Sequence, residues 1–333
     1  MQPQRAKDML ATYYDQNHNL KLDEGEFLTF EMGKDLEKIN SHFSDIARAQ
    51  AKIIIYNPTR PIHNNGRNFL AGRVEPTTDE NSKVMFFEED EGIWRLVDEA
   101  PVLGLQDPFY ISNVQGWHII GGVHFYPTDQ GSNYDTHFYR YQREIFELFD
   151  EDGKVIEPFA KGPEGMKDIR LIDLENGRIA VFTRPQGGSA GPGRIAYTEI
   201  DSLEHLTQEI PRAEIIQDQF HPDEWGGANE LHLLKNGKIG VLGHVAHYDG
   251  PVRHYYAMAF IFDPKSLRPS HMEILTTADD FPPIKPKKSE LGKIIFSGGL
   301  TRHADGTADL YVGVGDKASG RIKIKDPFLK YEV

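Results

Sequence analysis

Apolar positions along the chain follow two different periods. Within residues 1–50, apolar side chains such as Leu36, Ile39 and Phe43 recur at helical spacing, which predicts amphipathic helices. Beyond this segment, apolar residues form short runs separated by glycine, proline, asparagine and aspartate, which is typical of β-strands joined by turns. The pattern predicts an N-terminal helical extension over residues 1–50 and an all-β domain over residues 51–333.

Four of the β-type segments resemble one another. They begin at Gly116, Asn176, Asn236 and Asp309, and they recur at intervals of roughly 60 to 70 residues, which suits a four-stranded propeller blade with long loops. The strands around residues 73–94 bring the number of units to about five. We therefore expect a five-bladed β-propeller. A two-sheet sandwich, which also contains many short strands, is the alternative.

Each predicted unit carries charged or amide side chains at one end of a strand. A propeller directs the innermost strand of every blade at one axis, so the clusters would converge there, whereas a sandwich would scatter them. The candidate binding and catalytic residues are Arg73, Glu75, Asp107, Lys167, Asp168, Arg170, Glu224, Asn229, Glu230 and Asp316.

The residue types in these clusters indicate a sugar and an anion as ligands. Asp107 precedes Pro108, which favours extended backbone at Asp107. Arg184 follows a predicted strand, and a guanidinium suits phosphate because it donates two parallel hydrogen bonds. Trp225 stands beside Glu224 and could stack on the apolar face of a sugar ring. The structural alternative for Asp107 is an ordinary Asp-Pro turn. For the segment that contains Glu224, the alternative is a Gly-Gly turn with solvated acids.

Asp168 and Arg170 are expected on one face of a strand, with Lys167 on the other, because side chains alternate along a strand. By the same rule, His244 and His247 point to opposite faces, which argues against a zinc pair.

One polar segment near the N-terminus resembles an EF-hand calcium loop. Leu20 stands where that loop requires glycine, because the sharp turn needs positive φ. We therefore predict no required metal, with a polar inter-helix loop as the ordinary explanation and calcium as the alternative ligand. The candidate calcium ligands are Asp15, Asn17, Asn19, Asp23 and Glu26.

Composition and charge exclude several classes of protein. A formal net charge of −14 without a basic stripe argues against a nucleic-acid partner. No run of 18 apolar residues predicts a membrane-spanning helix. The absence of cysteine excludes disulfides and a cysteine nucleophile. Because the first residues lack the pattern of a secretory signal, we expect a cytoplasmic protein.

Short motifs between about residues 52 and 328 occur in an order shared with a known group of enzymes. The chain resembles the five-bladed mannoside phosphorylases of glycoside hydrolase family 130. It resembles more closely the related mannosyltransferase/phosphorylase group, glycosyltransferase family 108, which acts on β-1,2-mannan. The motifs are Gly72-Arg73-Val74-Glu75, Gln106-Asp107-Pro108, Lys167-Asp168, Arg184-Pro185, Gly243-His244 and the segment from Phe296 to Asp316.

This resemblance implies an activity and roles for particular residues. It implies that Asp107 is the proton-donating acid and that Lys167 and Arg184 hold phosphate or sugar, while His244 belongs to the binding site. Phe109 stands where an arginine usually follows the Asp-Pro pair, which affects phosphate handling. The implied activity is that of an inverting β-1,2-mannosyltransferase or phosphorylase.

Phosphorolysis brings its own anionic nucleophile, so one acid and several cations suffice. The expected partner is a mannooligosaccharide substrate, and no resident cofactor is required. Inorganic phosphate, mannose 1-phosphate or GDP-mannose is the expected co-substrate. A β-mannoside hydrolase and a non-catalytic carbohydrate-binding propeller remain alternatives.

Overall fold

The structure, a computed structural model, describes residues 5–16, 20–44, 52–64, 66–78, 80–129 and 131–332. These residues are mostly β, as the sequence predicts. Among them, no helix combines the length and the apolar character needed to cross a membrane. The helices are α1 (Ala6–Asp15), α2 (Met32–Ser41) and α3 (Leu206–Glu209), with short 3₁₀ turns at Ile145–Leu148, Gly188–Ala190, Leu203–His205, Ile210–Arg212, Ala278–Asp280, Ser289–Leu291 and Leu329–Tyr331.

The strands form antiparallel units in chain order, preceded by two short N-terminal strands, β1 (Glu26–Phe27) and β2 (Thr29–Phe30). Unit I contains β3 (Ile53–Tyr56), β4 (Ile62–Asn64), β5 (Arg67–Pro76), β6 (Lys83–Asp90) and β7 (Ile93–Leu96). Unit II contains β8 (Gln106–Val114), β9 (Trp117–Thr128), β10 (Gly131–Tyr141) and β11 (Ala160–Lys161). Unit III contains β12 (Arg170–Asp173), β13 (Ile179–Thr183), β14 (Ala196–Ile200) and β15 (Glu214–Ile215).

The last two units share one sheet. Unit IV contains β16 (Trp225–Leu233), β17 (Ile239–Asp249), β18 (Val252–Asp263), β19 (Arg268–Pro269) and β20 (Glu273–Thr276). Unit V contains β21 (Lys293–Arg302), β22 (Thr307–Val314) and β23 (Ala318–Lys325). A short parallel pairing of β18 with β21 joins the two units, so the hydrogen bonds define four sheets rather than five separate blades.

Neighbouring units pack against one another in chain order. Strand β5 lies against β8, β8 against β12, β12 against β16, and β16 against β21. Strand β23 of the last unit then lies against β3 of the first. One strand from each of the five units thus takes part in a chain of contacts, and β8 also contacts β16 and β21.

Turn chemistry fixes the hairpins of these units. Gln115 and Gly116 join β8 to β9, and Glu91 and Gly92 join β6 to β7. All four residues have positive φ, between 50° and 82°, which is the geometry of a type I′ turn. Because the twist of this turn matches the twist of the strands, each hairpin keeps its register and its apolar face stays buried.

The described part of residues 1–50 is tied to several units. The Ala6 backbone N–H donates to Glu224 Oε1 at 2.8 Å, so a unit IV carboxylate caps the start of α1. Tyr13 donates its hydroxyl to Asp280 Oδ2 at 2.8 Å. Strand β1 pairs with β23, and β2 pairs with β7, so this segment touches both the last and the first unit. The division at residue 50 remains a prediction from the sequence.

Candidate functional site

A cavity of about 250 Å³ receives side chains from all five units. Arg73 comes from β5, Asp107 from the start of β8, and Lys167 from the segment before β12. Tyr255 comes from β18, and Asp316 lies in the turn between β22 and β23. The cavity is thus built from residues that are far apart in the sequence and are brought together by the packing of the units.

Asp107 is held by two donors. Its Oδ1 accepts hydrogen bonds from Asn57 Nδ2 at 2.7 Å and from Arg73 Nη1 at 3.0 Å. Burial by itself raises the pKa of Asp107, but the charges of Arg73 and Lys167 and the Asn57 hydrogen bond outweigh it, so the pKa lies below its usual value. The Asp107 side chain is therefore an ionised carboxylate.

The backbone at Asp107 corrects an expectation from the sequence. Its φ is +49°, in the left-handed region, rather than extended as the following proline favours. The register between β8 and β9 shifts between Gln106 and Phe109, so the chain bulges at Asp107. The bulge turns the carboxylate into the cavity, and the two donors hold it there.

Glu75 fixes the position of Arg73. Glu75 is fully buried, and its Oε2 accepts from Arg73 Nε at 3.1 Å and from Nη2 at 2.9 Å. Its Oε1 accepts from Tyr56 Oη at 2.7 Å and Lys287 Nζ at 2.5 Å. Burial raises the pKa of Glu75, but the Arg73 charge and these donors outweigh it and lower the pKa. Glu75 is therefore a buried anion that orients one cation from unit I and one from the segment before unit V.

Asp316 differs electrostatically from Asp107. Burial raises the pKa of Asp316 to about 6, and the neighbouring Asp107 and Glu75 carboxylates act in the same direction, against the Arg73 charge. Asp316 also has positive φ, at +49°. One cavity thus contains two carboxyl groups whose pKa values move in opposite directions, which is an arrangement that enzymes use for acid and base roles.

Two cations of the cavity have no ionic partner. The side chains of Lys167 and Arg253 line the cavity and make no hydrogen bond or ion pair with the residues that the structure describes. Arg253 lies over the ring of Tyr248, with its guanidinium carbon 5.6 Å from the ring centroid. Lysine and arginine side chains that project into a cavity without a carboxylate partner suit an anionic ligand such as phosphate.

Six other predicted residues are buried and do not line this cavity; they form what we call the central buried layer, namely Asp168, Arg170, Arg184, Asn229, Glu230 and His244. Arg184 Nη1 donates to Asp168 Oδ2 at 2.7 Å, with both side chains about 5% exposed. Burial raises the pKa of Asp168, but the charges of Arg184 and Lys167 outweigh it, so the pKa is strongly lowered. Burial lowers the pKa of His244 to about 3, so its imidazole is neutral. His244 Nδ1 lies 2.8 Å from Asn229 Oδ1.

The same layer contains a second group of paired charges. Glu230 Oε1 accepts from Arg60 Nε at 2.5 Å, and its Oε2 accepts from the Leu300 N–H at 2.6 Å. Arg170 Nε donates to the Asn229 carbonyl at 2.5 Å, and its guanidinium lies over Phe109. Burial lowers the pKa of Arg170 to about 10. Glu230 is thus paired with a buried cation, whereas the Arg170 guanidinium is held by backbone carbonyls and an aromatic ring.

Two details of this region differ from the sequence prediction. Asp168 was expected on a strand, but β12 begins at Arg170, and Asp168 has a φ of +57°. Glu224 was a candidate for sugar binding, but its carboxylate caps α1 and accepts the His221 N–H at 3.2 Å. The Glu224 carboxylate and the Ala6 N–H are buried together, so this acidic side chain attaches the N-terminal segment.

Trp225 lies behind the aromatic wall of the cavity. Its side chain is buried, and its Nε1 donates to Tyr255 Oη at 3.1 Å. Its ring centroid lies 5.0 Å from that of Tyr248, which is 56% exposed. Trp225 thus supports Tyr255 and Tyr248, and these two tyrosines, rather than the indole, are the accessible aromatic surfaces on this side.

The calcium prediction lies partly outside the described residues. Asn17 and Asn19 are among the residues that the structure does not describe. Asp15 ends α1, and Asp23 is exposed. The carboxylate of Glu26 accepts a hydrogen bond from Arg321 Nε at 3.0 Å, so a cation already engages it. The calcium loop stays a prediction.

Several residues of the cavity were not identified from the sequence. Asn57 follows the apolar run Ile53–Tyr56 and has a φ of +48°, and a polar residue ending a strand could have marked it. Lys287 lies in a proline- and lysine-rich segment, which is a weaker signal. Arg253 and Tyr255 lie within β18 and follow no motif. Only the packing of the units shows that they meet Asp107.

Comparison with known proteins gives a family and related structures. Residues 41–330 match a family profile described as a protein of unknown function, DUF1861. A mannose phosphorylase from Leishmania mexicana, solved in complex with a phosphate ion, is 30% identical to the chain. The match covers 98% of this chain and 96% of that one, with a TM-score of 0.81. A GDP-Man-dependent mannosyltransferase from Leishmania mexicana matches with the same identity, coverage and TM-score.

A more distant structure shares the fold. A β-1,2-mannobiose phosphorylase from Listeria innocua, in complex with β-1,2-mannobiose, is 14% identical, with a TM-score of 0.56. That match covers 85% of this chain and 93% of the other. No curated protein sequence matches the chain.

Proposed function

Because this chain belongs to the DUF1861 family and to the structural group of the Leishmania mannosyltransferase and mannose phosphorylase, we propose that it transfers mannosyl groups. The proposed reaction is inverting transfer between mannose 1-phosphate or GDP-mannose and a β-1,2-mannooligosaccharide, together with the reverse phosphorolysis. The observation that carries the proposal is a single cavity in which the Asp107 carboxylate lies near Lys167.

The geometry of this cavity supports a reaction with an anionic co-substrate. In phosphorolysis, Lys167 and Arg253 hold phosphate, and a phosphate oxygen attacks the anomeric carbon of the terminal mannose. The glycosidic bond breaks on the opposite side, and its oxygen receives a proton that originates from Asp107. In the reverse reaction, Asp107 accepts that proton from the acceptor hydroxyl, and phosphate leaves.

The lowered pKa of Asp107 is compatible with this role once the anion binds. The cations Arg73 and Lys167 keep Asp107 ionised before the co-substrate binds. A phosphate between the cavity cations offsets their positive charge and adds negative charge near Asp107, and both effects raise the pKa of the carboxyl. Asp107 therefore takes up a proton when the co-substrate binds, and this is the proton that it passes to the leaving oxygen.

We also propose that units I to V are the blades of a five-bladed propeller. The return of the contacts from β23 to β3 supports this arrangement, as does the antiparallel order of strands within each unit. In a propeller, the innermost strands converge on one axis. The convergence explains why one cavity can collect side chains from all five units.

Product analysis tests the proposed activity. The chain is incubated with a β-1,2-mannooligosaccharide acceptor and mannose 1-phosphate, GDP-mannose or mannose as separate donors, and the products are separated by chromatography. We expect elongation with one of the activated donors and none with free mannose. NMR of the anomeric proton shows whether configuration inverts. Absence of elongation with every donor, and of phosphorolysis with phosphate, contradicts the proposal.

Hydrolysis of a β-mannoside is a second candidate, and one observation favours it. The pKa of Asp316 is raised to about 6 while that of Asp107 is lowered, which suits an acid and a base that activates water. A hydrolase releases mannose without phosphate, whereas a phosphorylase requires phosphate. Binding of the oligosaccharide without any turnover identifies a non-catalytic carbohydrate-binding protein instead.

A further inference from the structure

A group of three potential metal ligands lies on the β9–β10 hairpin, outside the residues assigned to mannosyl transfer. His124 is directly opposite Asp135 in the ladder between the two strands. His137 follows Asp135 by two residues, so it lies on the same face of the sheet. The three side chains therefore project from one face of the same hairpin.

The ligand atoms of this group converge. Asp135 Oδ1 lies 3.4 Å from His124 Nδ1 and 3.1 Å from His137 Nε2. One atom from each of the three side chains lies within 4.8 Å of the others. Ligands bound to zinc at about 2.0–2.2 Å are separated from one another by roughly 3.0–3.5 Å. Small rotations of the two imidazoles, whose ring centroids are 4.3 Å apart, bring the three atoms to such separations.

Burial of the three residues increases from the surface inwards. The side chain of His124 is 37% exposed, that of Asp135 is 17% exposed, and that of His137 is 8% exposed. His124 also lines a second cavity, of about 430 Å³, beside Gln106 and Tyr126. A metal ion bound here would have three protein ligands and an open side for water.

The residue types of the group suit a bound dication. A neutral imidazole has the lone pair that a metal requires. The carboxylate supplies the negative charge that compensates a dication, while the ammonium of Lys161 opposes it.

We propose that His124, Asp135 and His137 bind a divalent transition metal ion of the zinc type, with water completing the coordination. Two imidazoles and one carboxylate are a ligand set typical of such ions, whereas magnesium and calcium prefer oxygen ligands. The site is separate from the proposed activity and does not depend on it. Phe125, next to His124, lines both the second cavity and the Asp107 cavity, so the metal would also fix the hairpin that borders the latter.

Calorimetric titration of the untagged full-length chain with ZnCl₂, after removal of metal by EDTA and dialysis, tests the site. We expect one zinc ion per wild-type chain and no comparable binding of MgCl₂. His124→Gln, at the most exposed of the three positions, should weaken zinc binding by about tenfold or more. Asp135→Asn should have the same effect. Circular dichroism of the metal-free variants shows whether they keep the wild-type fold.

The matched control is His254→Gln. The ring of His254 stacks on that of His247 at 4.9 Å, yet the His124 group is the one trio of ligand atoms found within reach of one another among the described residues. This control should bind zinc as the wild type does. A wild-type chain that does not bind zinc overturns the proposal, as does a folded His124→Gln variant with wild-type affinity.

Cobalt provides a direct measure of ligation. Visible absorption of Co²⁺ bound to the wild-type chain should show the bands of an imidazole- and carboxylate-ligated ion, and these bands should be absent in His124→Gln. Unchanged bands in that variant place the metal elsewhere on the chain and contradict the proposal. Both measurements are independent of mannosyl transfer, so their failure is distinct from failure of the proposed function.

Discussion

The Asp107 cavity and the central buried layer are two charged regions built from similar residues in different ways. Asp107 and Asp168 each have positive φ and each contact an arginine. The layer joins Asp168 to Arg184 where both side chains are inaccessible. The cavity leaves Lys167 and Arg253 without partners among the described residues. Buried ion-paired charges contribute to structure, whereas unpaired charges facing a cavity are available to a ligand.

Replacing Asp107 by Asn should have the largest effect on catalysis. The variant keeps the size of the side chain and its tolerance of positive φ, but it cannot donate the proton, so kcat should fall by about 10²–10⁴-fold. Initial-rate measurements with the preferred donor give this value, and oligosaccharide binding should be nearly unchanged. Activity within a factor of a few of the wild type removes Asp107 from the proposed mechanism.

The corresponding change in the buried layer, Asp168→Asn, should act mainly on stability. It leaves the buried Arg184 guanidinium without its carboxylate, and loss of one partner of such a pair costs about 3–5 kcal/mol. Equilibrium urea unfolding measures the loss. The matched control is Asp107→Asn, in which Arg73 retains Glu75, and its free energy of unfolding should change less. If both variants lose the same free energy of unfolding, the stability of the chain depends on the two carboxylates equally, and the contrast between the cavity and the buried layer fails.

Asp316 gives the cavity a pH signature. Its pKa is about 6 in the folded chain and near 3.8 in the unfolded chain, so the folded state retains the proton between these values. Its stabilising contribution is present below about pH 4 and is lost as pH rises through 6. Above pH 6 the folded chain must hold the ionised Asp316 carboxylate in a buried position, which costs free energy. Asp316→Asn removes this cost and should be more stable than the wild type at pH 7 by about 1–3 kcal/mol, with little difference at pH 4. A difference that does not vary with pH contradicts the raised pKa.

The two unpaired cations should have a smaller effect that is specific to the co-substrate. Lys167→Gln and Arg253→Gln should each raise KM for phosphate or mannose 1-phosphate by about tenfold, because each removes a charge-assisted contact. Lys288→Gln is the control, since Lys288 lines the same cavity but its Nζ lies 3.0 Å from Glu80 Oε1. If Lys288→Gln changes KM equally, the effect comes from the overall positive charge of the cavity and not from a direct contact with the co-substrate.

Local pattern and family resemblance predict a substantial part of this molecule. Helical spacing of Ile39 and Phe43 corresponds to α2 and the turn after it, and both side chains are buried. Short runs with turn residues predict the β-rich character because strand alternation and turn conformations are local properties. The motif order predicts the enzyme group, and the structural comparison confirms it.

The partners of individual charges could not be predicted in this way. Arg60 and Glu230 are 170 residues apart, and Lys287 and Glu75 are 212 residues apart. Charged residues at strand ends look alike in a sequence, whichever way their side chains face. Whether one of them lines the cavity or belongs to the buried layer depends on how distant strands pack, and no local pattern encodes that packing.

The pairing of β1 with β23 has a consequence for how the chain folds. Glu26 leaves the ribosome 295 residues before its partner Arg321, so the outermost ladder of unit V forms only after β23 has been synthesised. Until then, an unpaired strand edge is exposed, and such edges recruit other chains. Closing so long a loop is entropically costly and slows folding. Deleting β1 therefore leaves the edge of β23 unpaired and prone to aggregation.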